Sequence, residues 1–360
     1  MVVVQILPAL NNGGVERGTV EIANFLAESG HTSIIISAGG LMQSKLSASV
    51  KHIKLAVGKK SLTSLLLIKQ LALLFVKNKV DIVHARSRLP AWLAFKAIAK
   101  LNTNKPQFIT TIHGLYSVKK YSSIMARGDK VIAVSKTAAD YVTKNYPRYL
   151  KSKPHVIYRG INTNEFPYDH QPDLLWLQKW YEKHHQLVGY KTVMLPGRLT
   201  SLKGAKDLLP WLHSKDNDAK LMLTANPEND IYAAKLYHWF KEKGVDHRIV
   251  WVGLQDSMAN LYAVSDVVLS TSVRPESFGR TVIEALAIGT PVVGYNHGGV
   301  GEILTDIFPQ GKVELNNQVQ LSDKINGILK LKPLVNNSQP YLLDNMLSQT
   351  LTLYHEAANV

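Results

Sequence analysis

Two glutamates, Glu276 and Glu284, with Gly279 between them, carry the densest chemical signal in this chain. They lie in Arg274-Pro-Glu-Ser-Phe-Gly-Arg-Thr-Val-Ile-Glu-Ala-Leu-Ala-Ile-Gly-Thr-Pro-Val-Val293. The β-branched run Val267–Ser272 ahead of it reads as a strand that ends in a loop. Phe278 to Gly289 then has helical spacing, with Val282, Ala285 and Leu286 on one face and Gly289 as a stop signal. The helix start at Phe278, Gly279, Arg280 and Thr281 presents unpaired N–H groups and the positive end of the dipole, a setting for phosphate. Glu284 falls roughly 7.5 Å further along the axis at 1.5 Å per residue. There a carboxylate suits neutral hydroxyls such as a ribose diol better than phosphates. Glu276, before the helix, can take hydrogen bonds from a second set of hydroxyls, those of a sugar. A nucleotide sugar has hydroxyls at both ends and phosphates between.

Two cations belong to the same reading. Lys191-Thr-Val-Met-Leu-Pro-Gly-Arg-Leu-Thr-Ser-Leu-Lys-Gly204 is a strand that stops at Pro196-Gly197, with a helix expected after Lys203. Arg198 and Lys203 therefore emerge at the strand's carboxyl end, where they would neutralise a departing diphosphate. Gly253, past the strand Arg248–Val252, is placed to border a nucleobase.

The elements that position these groups alternate along the chain. Val2–Leu7, Thr32–Ser37, Val50–Ala56, Val80–His84, Gln107–His113 and Lys130–Val134 read as strands between helical stretches, one of them near residues 16–29. Such alternation predicts an α/β fold with doubly wound parallel sheets, and ligands of such sheets lie at the carboxyl ends of the strands. Asn11-Asn-Gly-Gly14 is a turn whose Gly13 and Gly14 let backbone approach a ligand. His113, just past a strand end, can donate to a sugar hydroxyl or a developing charge. Arg86 and Arg88 can grip an acceptor's phosphate or carboxylate through their planar forks.

The run from Pro275 to Val293, with Glu276 and Glu284, resembles family four of the retaining glycosyltransferases, which have the GT-B fold. Gly197-Arg-Leu, Lys203-Gly204 and the Thr-x-His ending at His113 match the same family. Gly13-Gly-Val-Glu-Arg-Gly-Thr19 is similar to its lipopolysaccharide-core and surface-polysaccharide members. The resemblance implies two Rossmann-like domains facing across a cleft: 1–160 on the acceptor side, 161–342 holding the donor, and 343–360 as a helix returning to the first. It implies transfer of a sugar from a nucleoside diphosphate to a phosphorylated glycolipid or polysaccharide with retention, and no metal or other cofactor. His113, Glu276, Arg198 and Lys203 would be catalytic. Gly13, Gly14, Arg198, Lys203, Phe278, Gly279, Arg280, Thr281 and Glu284 would bind the donor, and Arg86 and Arg88 the acceptor. Thr224-Ala-Asn226 departs from the Gly-x-Gly that many relatives carry. His297 and Glu302, in the run Asn296–Glu302, are read only as part of a structural turn.

Composition sets the remaining bounds. Absence of cysteine excludes disulfides and thiolate metal sites. Residues 1–160 hold 24 Lys/Arg against 6 Asp/Glu, a net +18, while 161–360 hold 18 against 21, a net −3. So basic a front half calls for an anionic partner, and a membrane surface is expected: a cytoplasmic protein held at the membrane's inner face. The apolar stretch 62–76 is shorter than the ~20 residues a spanning helix needs and reads as a helix packed on a sheet. Asp216-Asn-Asp218 reads as a solvated turn, not a metal site. Two alternatives stand beside this reading: a non-enzymatic binder of nucleic acid or membrane, and a GT-B transferase with a soluble acceptor. The first would want stacking aromatics among the charges, and the basic run 45–105 offers mainly Phe75, Trp92 and Phe95 in apolar contexts.

Overall fold

The computed structural model describes residues 1–59, 64–215 and 218–359. Residues 62 and 63 of the apolar stretch and Asp216-Asn217 of the expected turn lie outside them. The chain forms two compact units, 1–160 together with 343–360, and 161–342.

The first unit runs β1 (Val2–Ile6), α1 (Gly14–Glu28), β2 (Thr32–Ser37), β3 (Lys51–Lys54), α2 (Ser64–Lys77), β4 (Ile82–Ala85), α3 (Arg88–Ala99), β5 (Gln107–Ile112), β6 (Lys130–Ala133), α4 (Lys136–Asn145) and β7 (His155–Val156). The second continues with α5 (Leu174–Lys183), β8 (Thr192–Leu195), α6 (Leu209–His213), β9 (Lys220–Leu223), α7 (Ile231–Glu242), β10 (Ile249–Trp251), α8 (Met258–Ala263), β11 (Val267–Ser270), α9 (Arg280–Ile288), β12 (Val292–Tyr295), α10 (Gly298–Ile307), β13 (Lys312–Val313) and α11 (Gln318–Leu331). The last helix, α12 (Leu343–Ala358), belongs to the first unit again.

Both sheets are parallel and doubly wound, in the orders β3-β2-β1-β4-β5-β6-β7 and β10-β9-β8-β11-β12-β13. Strands β4, β8, β11 and β12 are buried along their whole length, which is why they are mostly apolar and lack a polar residue at every second position, with His84, Thr192 and Ser270 as buried polar exceptions. In each sheet the order reverses between two neighbouring strands, β1 and β4 in one and β8 and β11 in the other. Ligand crevices open at the carboxyl ends of such pairs. Arg198 and Lys203 follow β8, and Glu276 follows β11, so the two cations and the acid leave adjacent strands of the second sheet.

Three expectations shift on contact with the structure. The helix containing Glu284 starts at Arg280, with Gly279 as its N-cap, and ends at Gly289 in the left-handed conformation. Beyond Lys203 the chain makes short 3-10 turns before α6 begins, because Pro210 fits only a helix's first turn. Asn296–Glu302 is no mere turn, since α10 starts at Gly298. Its Gly-Gly opening has poor intrinsic helix propensity, and burial of Val300, Ile303, Leu304 and Ile307 supplies what propensity lacks.

Candidate active site

The centre of the second unit is an ion pair. Lys203 Nζ lies 2.7 Å from Glu276 Oε1, and Ser272 Oγ donates to the same oxygen at 2.6 Å. His297 Nε2 lies 2.7 Å from the Ser272 carbonyl oxygen. Burial pushes the Glu276 carboxyl up, but the Lys203 ammonium, the hydrogen bonds from Lys203 and Ser272, and the His297 side chain outweigh it. The group is held below the usual carboxylate range. At neutral pH the site thus presents a carboxylate and an ammonium side by side.

Backbone contacts fix both partners. The Lys203 carbonyl accepts from Thr271 Oγ1 at 2.8 Å, and Val273 N–H donates to the Leu202 carbonyl at 2.8 Å, strapping this turn to the exit of β11. Gly204, at φ 66°, lies so close that an added Cβ would sit 2.0 Å from the Thr271 carbonyl oxygen. On the other side Gly299 N–H donates to the Glu276 carbonyl at 2.8 Å. A Cβ on Gly298 would approach that same oxygen to 2.6 Å, and one on Gly299 would come within 2.3 Å of the Phe278 carbonyl. The start of α10 therefore buttresses the Glu276 loop. Ser272, His297, Gly298 and Gly299 are site residues that sequence reasoning left without a role. The available signal was topological: His297 leaves β12, the neighbour of β11, at its carboxyl end.

Glu284 forms a second cluster with the expected donor residue Arg280. It is 6% exposed, accepts from Tyr262 Oη at 2.9 Å and pairs with Arg280 Nε at 2.7 Å. Burial, then the Glu284 charge, raises the Tyr262 phenol well above its ordinary value, so it stays a donor. Phe278 is buried against Tyr341, whereas Thr281 sits in the first turn of α9. Arg198 is exposed and lines a recess of 580 Å³ at the ends of β8, β9 and β10, together with Thr224, Asn226, Asp230, Trp251 and Gly253. Among the described residues no hydrogen bond or ion pair joins it to Glu276, which pairs with Lys203 instead.

In the first unit Gly13 and Gly14 open α1, but with Gly13 at φ 171° they supply no left-handed backbone. What they leave is space. A Cβ on Gly14 would sit 3.5 Å from Arg159 Nη2, and one on Gly18 only 2.3 Å from Arg159 Nη1. The buried Arg159 guanidinium thus packs on the first turns of α1, a placement the sequence did not suggest. Arg86 also differs from expectation: it is buried, and its guanidinium donates to Gln5 Oε1, so its fork is engaged within the core. Arg88 lies between Tyr116 and Tyr121, 4.8 Å and 5.4 Å from their ring centres, with Nη1 donating to Ser122 Oγ. His113 sits just past the end of β5 with its ring nitrogen buried. Burial, then the charges of Arg159, Arg86 and His84, hold it well below its ordinary value. His84, between Tyr354 Oη at 2.5 Å and Thr111 Oγ1 at 2.6 Å, is depressed by burial and by Arg86.

These two histidines give a pH prediction. Each is neutral in the fold and binds a proton on unfolding below its unfolded value of about 6.5, so the stability is intact above that pH and lost as pH falls below it. The unfolding midpoint should drop steeply on acidification, each histidine adding up to ~1.4 kcal/mol per pH unit. His84→Gln should remove one such share of the slope in thermal melts; an unchanged slope would contradict the assignment.

Residues 12–165 match the family described as Glycosyltransferase Family 4, and residues 178–341 match Glycosyl transferases group 1. A glycosyltransferase from Rickettsia africae shares 31% identity at a TM-score of 0.82, over 99% of this chain and 98% of its own. The chain belongs to the family-four glycosyltransferases. Anabaena HepE, in a structure with UDP, shares the GT-B fold at a TM-score of 0.80 and 18% identity, over 99% of this chain and all of its own. An uncharacterized glycosyltransferase of Methanocaldococcus jannaschii is 29% identical over 79% of this chain and 77% of its own length. The Lys203–Glu276 pair and the Glu284 cluster are accordingly features of a glycosyltransferase's second domain. Among the described residues no helix is long and apolar enough to cross a membrane.

Proposed function

We propose that this glycosyltransferase moves a sugar from a nucleoside diphosphate to a phosphorylated glycolipid or polysaccharide, with retention of anomeric configuration. The observation that carries this is the Lys203–Glu276 pair at the switch point of the second sheet, beside the N-terminus of α9. Glu284 takes the ribose hydroxyls, and the recess walled by Arg198, Trp251 and Gly253 takes the base. HepE's complex with UDP agrees with a nucleotide donor. Glu276 orients the sugar. As the bond from C1 to the diphosphate breaks, Lys203, Arg198 and the first amides of α9 meet the charge that develops. The acceptor oxygen bonds to C1 and its proton passes to the leaving phosphate, so the reaction needs no metal or other cofactor. His113 donates to a sugar hydroxyl. The +18 first 160 residues favour an acceptor at an anionic membrane's inner, cytoplasmic face, in lipopolysaccharide-core or surface-polysaccharide synthesis, over nucleic acid or a soluble acceptor.

Calorimetric titration with UDP-, GDP- and ADP-sugars in the presence of a chelator tests this. One donor should bind saturably and raise stability by about 2.7 kcal/mol at a hundred times its Kd. Absence of binding by all of them would remove the reading, and binding only with added metal would remove its metal-free form.

A further inference from the structure

Helix α2 exposes four large aliphatic side chains on its outer side: Leu65 at 70%, Leu66 at 65%, Leu73 at 72% and Val76 at 60%. Ile68, Leu71 and Phe75 face inward, where the helix packs on α3. Lys69 and Lys77 share the exposed side, and the helix has no acidic residue. Steps of four and four from Leu65 through Lys69 to Leu73, then three to Val76, make one continuous stripe. Val76 also walls a 560 Å³ recess whose rim carries Lys79 and Lys105. Around this face the sequence is one-sided in charge. Residues 29–128 contain 16 Lys/Arg and a single acid, Asp81, whose carboxylate accepts from the Val2 N–H at 2.7 Å.

We infer that α2 is the element that seats this protein on an anionic lipid bilayer, lying in the interface with Leu65, Leu66, Leu73 and Val76 among the acyl chains and its lysines at acidic headgroups. This rests on the membrane association proposed above and assigns it to one face. At 1.5 Å per residue the 14-residue helix spans roughly 21 Å, too short to cross and suited to lie flat. Lysine stems let the ammonium groups rise to the phosphates while the leucines sink. RNA fits this face poorly: it would want exposed rings, and Phe75, the one aromatic of the helix, is buried. A second copy in a twofold dimer would bring Lys69 and Lys77 against like charges.

The test is sedimentation of the full chain with vesicles of phosphatidylcholine, with and without phosphatidylglycerol. Wild type should partition onto the acidic vesicles and lose that partition in salt. Leu66→Gln with Leu73→Gln should lower it at least tenfold, as expected for withholding two leucine side chains from the acyl region. Lys69→Gln with Lys77→Gln should cost about fivefold per lysine on acidic vesicles and nothing on neutral ones. Leu174→Gln, at an exposed leucine of α5, should change nothing. All variants should melt with wild type, since only exposed side chains change. Wild type that ignores acidic vesicles, or that instead binds RNA or dimerises through this face, overturns both the inference and the membrane reading beneath it. Partition unchanged in the leucine variant overturns the assignment to α2 alone.

Discussion

Replacing Lys203 with methionine should lower kcat by about 10²–10³-fold in protein that still folds, the loss expected when one preorganised donor is taken from a developing charge. The side chain is placed, not merely present. Its turn is tied to the exit of β11 by the Thr271 hydroxyl and the Val273 amide, and Gly204 lets that turn lie against the Thr271 carbonyl. A methionine keeps the stem and deletes only the charge. The pair is mostly buried, its side chains 23% and 26% exposed, so losing the ammonium also costs stability at neutral pH, and kcat has to be read on protein shown to be folded. A second readout separates chemistry from structure. Lys203 is the largest of the groups holding the Glu276 carboxyl below its usual range, so without it that carboxyl titrates higher. Any acid limb in kcat/KM that belongs to Glu276 should move to higher pH in the methionine variant. A variant with wild-type kcat would end the role given to Lys203, and an unmoved acid limb would detach Glu276 from the profile.

Much of this arrangement was legible in the sequence, and the reasons are local. Fully buried parallel strands such as β8 and β11 appear as short apolar runs, and Gly289 marks the end of α9 because only a residue tolerant of left-handed backbone stops a helix there. Glu276 and Glu284 stood out because their spacing crosses from loop to helix. The hidden parts depend on residues far apart in the chain. That Arg86 turns inward is decided by Gln5, 81 residues away, and His84 meets Tyr354 across 270. His297, Gly298 and Gly299 read as a turn because their work is to let two backbones touch, a property no side-chain pattern carries. The exposure of α2's leucines was equally hidden, since apolar residues fall on every side of this helix, the side with Lys69 included, and do not reveal which side lacks a neighbour.

Removing residues 343–360 should leave the first unit unable to fold while the second still melts cooperatively. Helix α12 places Met346, Leu347, Leu353, Tyr354 and Ala357 in one core with Val3, Ile22, Leu26, Ile82, Ile109 and Ile132, so it fills a layer over the centre of the first sheet. At about 1.5–3 kcal/mol for each large apolar side chain, its four largest contribute on the order of 10 kcal/mol, comparable with the ~5–15 kcal/mol that holds a whole domain together. The second unit, 161–342, keeps all its own strands, and its ends are joined by the Ile161 amide donating to the Tyr341 carbonyl at 2.9 Å. Limited proteolysis of the truncated chain should therefore yield a resistant fragment covering 161–342 and none from the first 160 residues. Aggregation could mask such a result, and Tyr354→Phe avoids it. That change keeps the ring and deletes the hydroxyl at His84 Nδ1, leaving a buried nitrogen unsatisfied at a cost of about 1–3 kcal/mol. Its effect should fall on the first unit's melting transition and leave the second's in place. A first unit that melts as before in both proteins would mean that α12 rests on its core without completing it.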